Sequence, residues 1–392
     1  MKAKYVYTYC VCAAFFVCAM LYAMQGALIT SYINHYDLHS AAQGATGSAL
    51  SVGQAIALII LFWQAGKIAK PIILAIALAG IVVILFSISI MPPFVLLVLL
   101  TCMLGIMFGS IGSTSSSIIA DLHDGDDSPK YMSRLHGVFG LAGLITPLFF
   151  RGLFTAGFYW NVSVRVTALV VVAIFVTYVI LSRRSLKSIT LAESGRQKIT
   201  RSDFAAFFRR GSNILLIFCA LFYGAHQSVI VVWIIRYVEV ALETPLLAAL
   251  SLSLFWAGVT ISRLFMHRIL PVSPIKVVLF GNLVSAIAMC VGILSGSGIV
   301  VICMAFVTGF SSGTTIPALL SACCAENDCN TLLPTNFINL ALYSSLIVCP
   351  IIVGALEAYT SLNEAMYLAA LFSLLCGILV YFYCRKTRKM SA

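Results

Sequence analysis

The chain has 392 residues, of which 61% are hydrophobic and only 9% charged. Soluble domains carry about 25% charged residues, so 24 basic and 13 acidic side chains cannot dress a 42.3 kDa globule for water. A mean hydropathy of +1.05 points instead to repeated apolar spans of about 20 residues, the length that a ~30 Å hydrocarbon core requires.

In chain order, apolar stretches bounded by charge or turn residues predict six spans at 5–34, 42–65, 71–90, 94–119, 131–154 and 162–182. Six more follow at 213–239, 246–265, 275–294, 299–322, 335–357 and 364–384. The first run far exceeds the about 7–15 apolar residues of a signal-peptide core, so it is read as a retained helix. Most connections are short, such as Met91-Pro92-Pro93 and Ser295-Gly296-Ser297-Gly298. One is long and polar, Ser182 to Ser212, and carries Arg183, Arg184, Lys187, Arg196, Lys198, Arg201, Arg209 and Arg210. The expected organisation is an all-α membrane protein: a six-helix bundle over 1–182, a basic cytosolic linker over 183–211, and a second six-helix bundle over 212–392.

The net charge of +11 does not indicate nucleic acid, because a binding groove needs a basic patch on a folded aqueous surface. It indicates orientation. With the N-terminus inside, 21 of the 24 basic residues fall in cytosolic segments, and only Arg151, Arg165 and Arg236 fall outside. Lys and Arg accumulate in short cytoplasmic loops, so both termini and the linker are expected in the cytosol of a cell, such as a bacterial one, whose cytoplasmic membrane holds the protein. The sequon Asn161-Val162-Ser163 abuts the sixth span and adds nothing to this.

Most of the 13 cysteines lie in apolar runs, where thiols behave as small hydrophobes. Cys323, Cys324 and Cys329 cluster around Glu326 and Asp328 and are read as reduced cysteines at a cytosolic helix end rather than as a metal site. His123-Asp124-Gly125-Asp126-Asp127 lacks the remaining ligands of a calcium loop and is read as a polar connector. No cofactor or metal is expected.

The two halves repeat at an offset of 201 residues. Phe16-Val17-Cys18-Ala19-Met20-Leu21-Tyr22 lies over Ile217-Phe218-Cys219-Ala220-Leu221-Phe222-Tyr223, and the same shift pairs Tyr32 with Trp233, Tyr36 with Tyr237, Cys102 with Cys303 and Gly112 with Gly313. Parallel six-helix repeats about an axis along the membrane normal are a transporter architecture, with the solute at the midplane.

Twelve spans as six plus six, a basic central linker and cytosolic termini make the chain resemble the major facilitator superfamily along its whole length. Within it, three segments are similar to the fucose permease and sugar transporter branch: Leu135-His136-Gly137-Val138-Phe139-Gly140, Tyr223-Gly224 through Trp233 and Tyr237, and Phe255-Trp256-Ala257-Gly258 leading to Arg263. The resemblance implies alternating access between two rocking bundles. The loop between the second and third spans reads Gly66-Lys67-Ile68-Ala69-Lys70, without the aspartate usual among its basic residues in the superfamily. The cytosolic lock that the resemblance implies therefore departs from its usual form.

Polar side chains within spans face protein or a water-filled cavity, and helical spacing shows which share a face. Tyr223, His226, Gln227, Ile230, Trp233 and Tyr237 fall within one arc of about 120° on the seventh span. Tyr22, Gln25, Gly26, Ile29, Tyr32 and Tyr36 form the matching arc on the first. Tyr36 and Tyr237 also suit an interfacial aromatic belt. Asn339 and Tyr343 on the eleventh span are further solute contacts, with Asn336 and His136 nearer the cytosol. Ser110, Ser113, Thr114 and Ser117 on the fourth span, and Ser311, Thr314 and Thr315 on the tenth, are read first as close-packing residues. Gly140, Gly143, Pro147 and Pro350 suit helices that bend as a cavity opens.

The candidate solute-binding residues are thus Gln25, Tyr32, His226, Gln227, Trp233, Asn339 and Tyr343. For coupling and gating the candidates are His226, Asp121, Lys67, Lys70 and Arg263. His226 is the one ionisable side chain placed near the midplane, which makes protons the expected coupling ion. Asp121 lies close in topology to Lys67 and Lys70, where an ion pair would hold the cytosolic side shut. Uncharged amides and aromatic rings suit a small, neutral, sugar-like solute carried by a monomer in the lipid bilayer. Rival cargoes are an organic anion, since Arg151, Arg165 and Arg236 cluster outside with few acids, and amphipathic compounds for efflux. An intramembrane enzyme or receptor is disfavoured, because His-Glu-x-x-His, Gly-x-Ser-x-Gly and a phosphate-cradling glycine loop are all absent.

Overall fold

Continuous apolar runs leave each backbone N–H and C=O in lipid without water, so every run must satisfy its polar groups within a helix. The computed structural model describes residues 2–64, 68–123, 127–186, 201–269, 273–326 and 332–390, and among them there is no strand. The first unit comprises α1 (Lys2–Tyr36), α2 (Ala45–Gln64), α3 (Lys70–Ser89), α4 (Phe94–Leu122), α5 (Asp127–Thr155) and α6 (Trp160–Leu186). The second comprises α7 (Arg201–Arg209), α8 (Gly211–Arg236), α9 (Ala248–Ile269), α10 (Pro274–Leu294), α11 (Gly298–Ser312), α12 (Thr315–Ala325), α13 (Leu332–Tyr359) and α14 (Leu362–Met390). The short segment Leu38–Gly44, with its 3-10 turn, groups with this second unit. Among the described residues, twelve helices are long and apolar enough to cross a membrane, as the hydropathy of the sequence predicts.

Three local features depart from the sequence prediction. The tenth span, expected unbroken over 299–322, is interrupted between α11 and α12 at Gly313 and Thr314. The seventh continues past α8 as a π-helical turn over Tyr237–Ala241. The linker, read as a polar loop, contains α7. Its Phe204, Phe207 and Phe208 recur at the spacing of one helical face. Phe207 is buried and stacks on Phe337 of α13 at 5.3 Å. Residues 187–200 of the linker lie outside the described residues.

Within each unit the tightest helix pair is built the same way. In the first, α2 and α4 touch backbone to backbone: a methyl group at Gly53 would overlap the Cys102 carbonyl, and one at Gly105 the Leu50 carbonyl. In the second, α9 and α11 repeat the arrangement, with Gly258 against the Phe306 carbonyl and Gly309 against the Phe255 carbonyl. Apolar side chains gain little by leaving lipid for protein, so small residues that admit close dispersion contact decide which faces pair.

Candidate functional site

At the expected inner end of the first unit, α3 begins and α4 ends side by side. Lys70 Nζ reaches Asp121 Oδ2 at 2.5 Å, with side chains 22% and 14% exposed. Lys67, the other cation expected here, lies outside the described residues. The same end is fastened by two further contacts. Tyr178 donates to the Pro71 carbonyl at 3.0 Å, and Thr8 Oγ1 bonds His123 Nε2 at 2.8 Å. His123 is buried and stacks on Tyr131 with ring centres 3.6 Å apart. Sequence reasoning placed His123 in a connector. It is instead a packed residue that closes α4 onto α1 and α5.

On α1, Gln25 is 3% exposed; its Nε2 contacts the Leu21 carbonyl at 3.5 Å and its Oε1 has no hydrogen-bond partner among the described residues. Tyr22 packs between Phe108 of α4 and Phe139 of α5. Tyr32 turns to α6 and meets Trp160 edge-on at 5.1 Å. Tyr36 donates to the Pro92 carbonyl at 2.7 Å. The predicted stripe therefore divides: its outer tyrosines brace helix ends, while Gln25 keeps an unused acceptor deep in the helix.

The matching stripe on α8 divides too. Tyr223, His226 and Trp233 are wholly buried, and Gln227 is 7% exposed. His226 is held on both sides of its ring, by the Ala369 carbonyl of α14 at Nδ1 (2.8 Å) and by Ser285 of α10 at Nε2 (3.2 Å). A carbonyl only accepts, so Nδ1 carries the proton, and Nε2 is left to accept from the Ser285 hydroxyl in the neutral ring. Next to it Asn282 bonds Thr315 Oγ1 at 3.0 Å and Ser373 bonds the Asn282 carbonyl at 2.9 Å. His226 thus heads a buried polar seam joining α8, α10, α12 and α14. Gln227 makes no hydrogen bond among the described residues, and the Trp233 indole N–H is buried without a partner. Tyr237, the outermost member, donates to Asn363 at 2.7 Å.

At the interruption of the tenth span the Gly313 carbonyl has no N–H four residues on, because that position is Pro317, and Arg263 of α9 serves it. Its Nε donates to the Gly313 carbonyl at 3.0 Å. Its guanidinium also lies beside the Tyr223 hydroxyl, which in turn neighbours Ser312. Among the described residues no carboxylate pairs with Arg263. On α13, Asn339 and Tyr343 are partly buried one turn apart, while Leu342 and Ser345 fill the contact with Gly224 of α8.

The outer arginines differ from expectation. Arg236 is not short of an acid: its Nη2 reaches Glu357 Oε1 of α13 at 3.0 Å, with side chains 11% and 16% exposed. Arg165 lies near the Ser89 carbonyl at 3.5 Å. Opposite charges at the matching C-terminal ends of the seventh and eleventh spans, Arg236 and Glu357, were the available sequence signal for this pair. Cys323 donates to Asn213 Oδ1 at 3.7 Å, while Asp328 and Cys329 lie outside the described residues. Among the described residues, no three His, Cys, Asp or Glu side chains are placed to hold a metal.

A family model described as Major Facilitator Superfamily matches residues 11–326. No curated protein matches the chain by sequence. Among solved structures, a bacterial homologue of the human lysosomal transporter Spinster, inward-facing and unoccupied, superposes with a TM-score of 0.72 at 14% identity, over 99% of this chain and 98% of that one. The transporter FucP in its outward conformation gives 0.67 at 14% identity over 96% and 98%. A POT family transporter in complex with a thioalcohol-conjugated peptide gives 0.76 at 12% identity over 98% and 96%. At such identities the likeness is one of fold. With more than half of its length matched by the family model and a structure of twelve spans in two units, the chain belongs to the major facilitator superfamily.

Proposed function

We propose that this secondary transporter carries a small, uncharged, hydroxyl-rich solute, sugar-like in its chemistry, across a cell membrane by alternating access. The observation that carries the reading is Gln25, a buried, uncharged amide on the first helix of the first repeat whose Oε1 has no hydrogen-bond partner among the described residues. A buried polar group without a partner costs about 1–3 kcal/mol, a cost that a solute hydroxyl would remove on binding. Gln227, on the first span of the second repeat, is a second uncharged amide, 7% exposed and without a hydrogen bond among the described residues. Trp233 supplies an apolar ring with an unused donor, and Asn339 and Tyr343 supply further neutral donors and acceptors.

Proteoliposomes preloaded with unlabelled solute provide the test. Counterflow of a labelled hexose or pentose is expected, and Q25A or Q227A raises KM about tenfold, the equivalent of ~1.4 kcal/mol. Counterflow of organic acids but not of sugars would overturn the neutral-solute reading. A second reading, an organic anion as cargo, is favoured by Arg263, a cation within a span that has no carboxylate beside it among the described residues. The same assay separates the two. Proton coupling enters the proposal through His226, whose ring would have to give up the Ser285 hydrogen bond, or reverse it, on gaining a second proton.

A further inference from the structure

We infer that the second unit holds an anionic phospholipid by its phosphodiester headgroup, in a pocket formed where α7 meets the start of α8 and the end of α14. The pocket encloses about 510 Å³ and is lined by Arg209, Arg210, Ser212, Glu326 and Lys386 among others. Three cations therefore face one carboxylate, and that carboxylate is already used. Glu326 accepts from the Ser212 hydroxyl through one oxygen and from Tyr383 at 2.6 Å through the other. Among the described residues, none of the three cations has an acidic partner.

Their placement makes the excess charge unfavourable as it stands. The Lys386 ammonium group sits so close to Gly211, the first residue of α8, that a methyl group there would collide with it. Arg210 provides the helix with no side-chain cap. The start of a long helix is its positive end, so like charges converge on it, and an anion in the pocket would relieve the repulsion.

Depth and neighbours identify the anion as a lipid. Three candidate spans end around the pocket: one starts at Gly211, one closes at Ala325 and one at Thr387. That is headgroup level. Beside it α7 gathers Phe204, Phe207 and Phe208 around Phe337, with ring centres 6.1, 5.3 and 4.9 Å away, and leaves Phe204 and Phe208 43% and 42% exposed. A helix with basic ends and a partly exposed aromatic face, lying next to span ends, suits a segment resting in the headgroup layer. Basic pockets at the ends of spans suit phosphate headgroups.

The full chain is purified, exchanged into nanodiscs of phosphatidylethanolamine with a minor share of phosphatidylglycerol, and its retained lipid counted by native mass spectrometry. Wild type is expected to retain phosphatidylglycerol selectively. Retention should fall roughly fivefold for each cation removed in R209Q, R210Q and K386Q, the equivalent of ~1 kcal/mol per basic residue at an anionic surface. Lys276, an exposed cation at another span end, is the control, and K276Q should leave retention unchanged. Equal retention by wild type and the triple variant overturns the inference, as does an equal loss in K276Q. Displacement of the lipid by millimolar inorganic phosphate would assign the pocket to a free anion and overturn it too. Should the triple variant fail to fold, K386E alone carries the same expectation.

Discussion

Arg263 Nε donates to the carbonyl oxygen of Gly313 at 3.0 Å, across the point where the tenth span is interrupted. A charged donor thus sits where the sequence, by breaking a helix, has exposed a backbone acceptor in a low-dielectric environment. Without a donor, that carbonyl would bear the full cost of burial. The pair also ties α9 to the junction of α11 and α12, so any bending of the tenth span must move with the eighth.

The Arg263–Gly313 bond predicts a loss that charge alone does not restore. R263A should lower the transport rate at least tenfold and reduce stability by about 1.5–3 kcal/mol, the usual worth of a hydrogen bond to a charged group. R263K keeps the charge but lacks the planar fork, so its thermal unfolding temperature in detergent should stay close to that of R263A. Full recovery of stability in R263K would mean that charge, not capping, is the role of the residue.

The Lys70–Asp121 pair should matter to transport more than to stability. Its side chains are partly exposed, and such pairs contribute about 0–1 kcal/mol. D121N is expected to change the unfolding temperature little while slowing solute exchange. The charge swap K70D with D121K should recover a measurable part of the rate. An unchanged exchange rate in D121N would remove the pair from gating.

His226 makes two separable predictions. H226A leaves the Ala369 carbonyl and the Ser285 hydroxyl without their partner and should cost about 1–3 kcal/mol each where no water enters. H226Q keeps hydrogen-bonding capacity but cannot titrate near neutral pH. Uptake driven by an imposed pH gradient should disappear in H226Q while counterflow persists. If pH-driven uptake is unaffected, His226 is a packing residue alone.

Close helix contact is the fourth testable feature. Gly105 and Gly309 each lie against a carbonyl of the neighbouring helix, so an added side chain must push backbone apart. G105V and G309V should each fail to yield folded protein, and the alanine variants should lose about 1–3 kcal/mol, the cost of overpacking. Fluorescence size-exclusion profiles of the expressed variants give the reading. Gly112, where nothing lies within reach of an added methyl group, should accept alanine without such loss.

The spans were legible because hydropathy is a property of each stretch by itself. Observed helices such as Phe94–Leu122 and Pro274–Leu294 begin within one residue of the spans expected at 94–119 and 275–294. The interruption at Gly313 had its signal in Pro317, which has no N–H to offer the carbonyl four residues back; glycine alone gives no such signal, since Gly105, Gly109 and Gly258 leave their helices intact. The helix α7 was not legible, because its three phenylalanines are diluted by the charges around them. The polar stripes on the first and seventh spans were visible as periodicity. The stripe did not reveal that Tyr32 would turn to Trp160, or that His226 would be claimed on both sides, while Gln25 kept an acceptor unused among the described residues. Arg236 illustrates the same limit. Its charge invited an anion at the mouth, and its structure supplied Glu357 instead.

By itself, then, the sequence determined that the chain crosses a membrane, how many times it does so, and which residue types lie within the apolar runs. These follow from the free energy of moving one segment at a time out of water, and neighbours in sequence suffice to estimate it. Only the tertiary structure decided what each polar side chain is for. His226 and Ala369 are 143 positions apart, and Arg236 and Glu357 are 121 apart. A buried polar atom is stabilised by whichever partner packing brings within about 3 Å. That choice is a property of helix pairs, set by where small residues let backbones approach, and no single helix contains it.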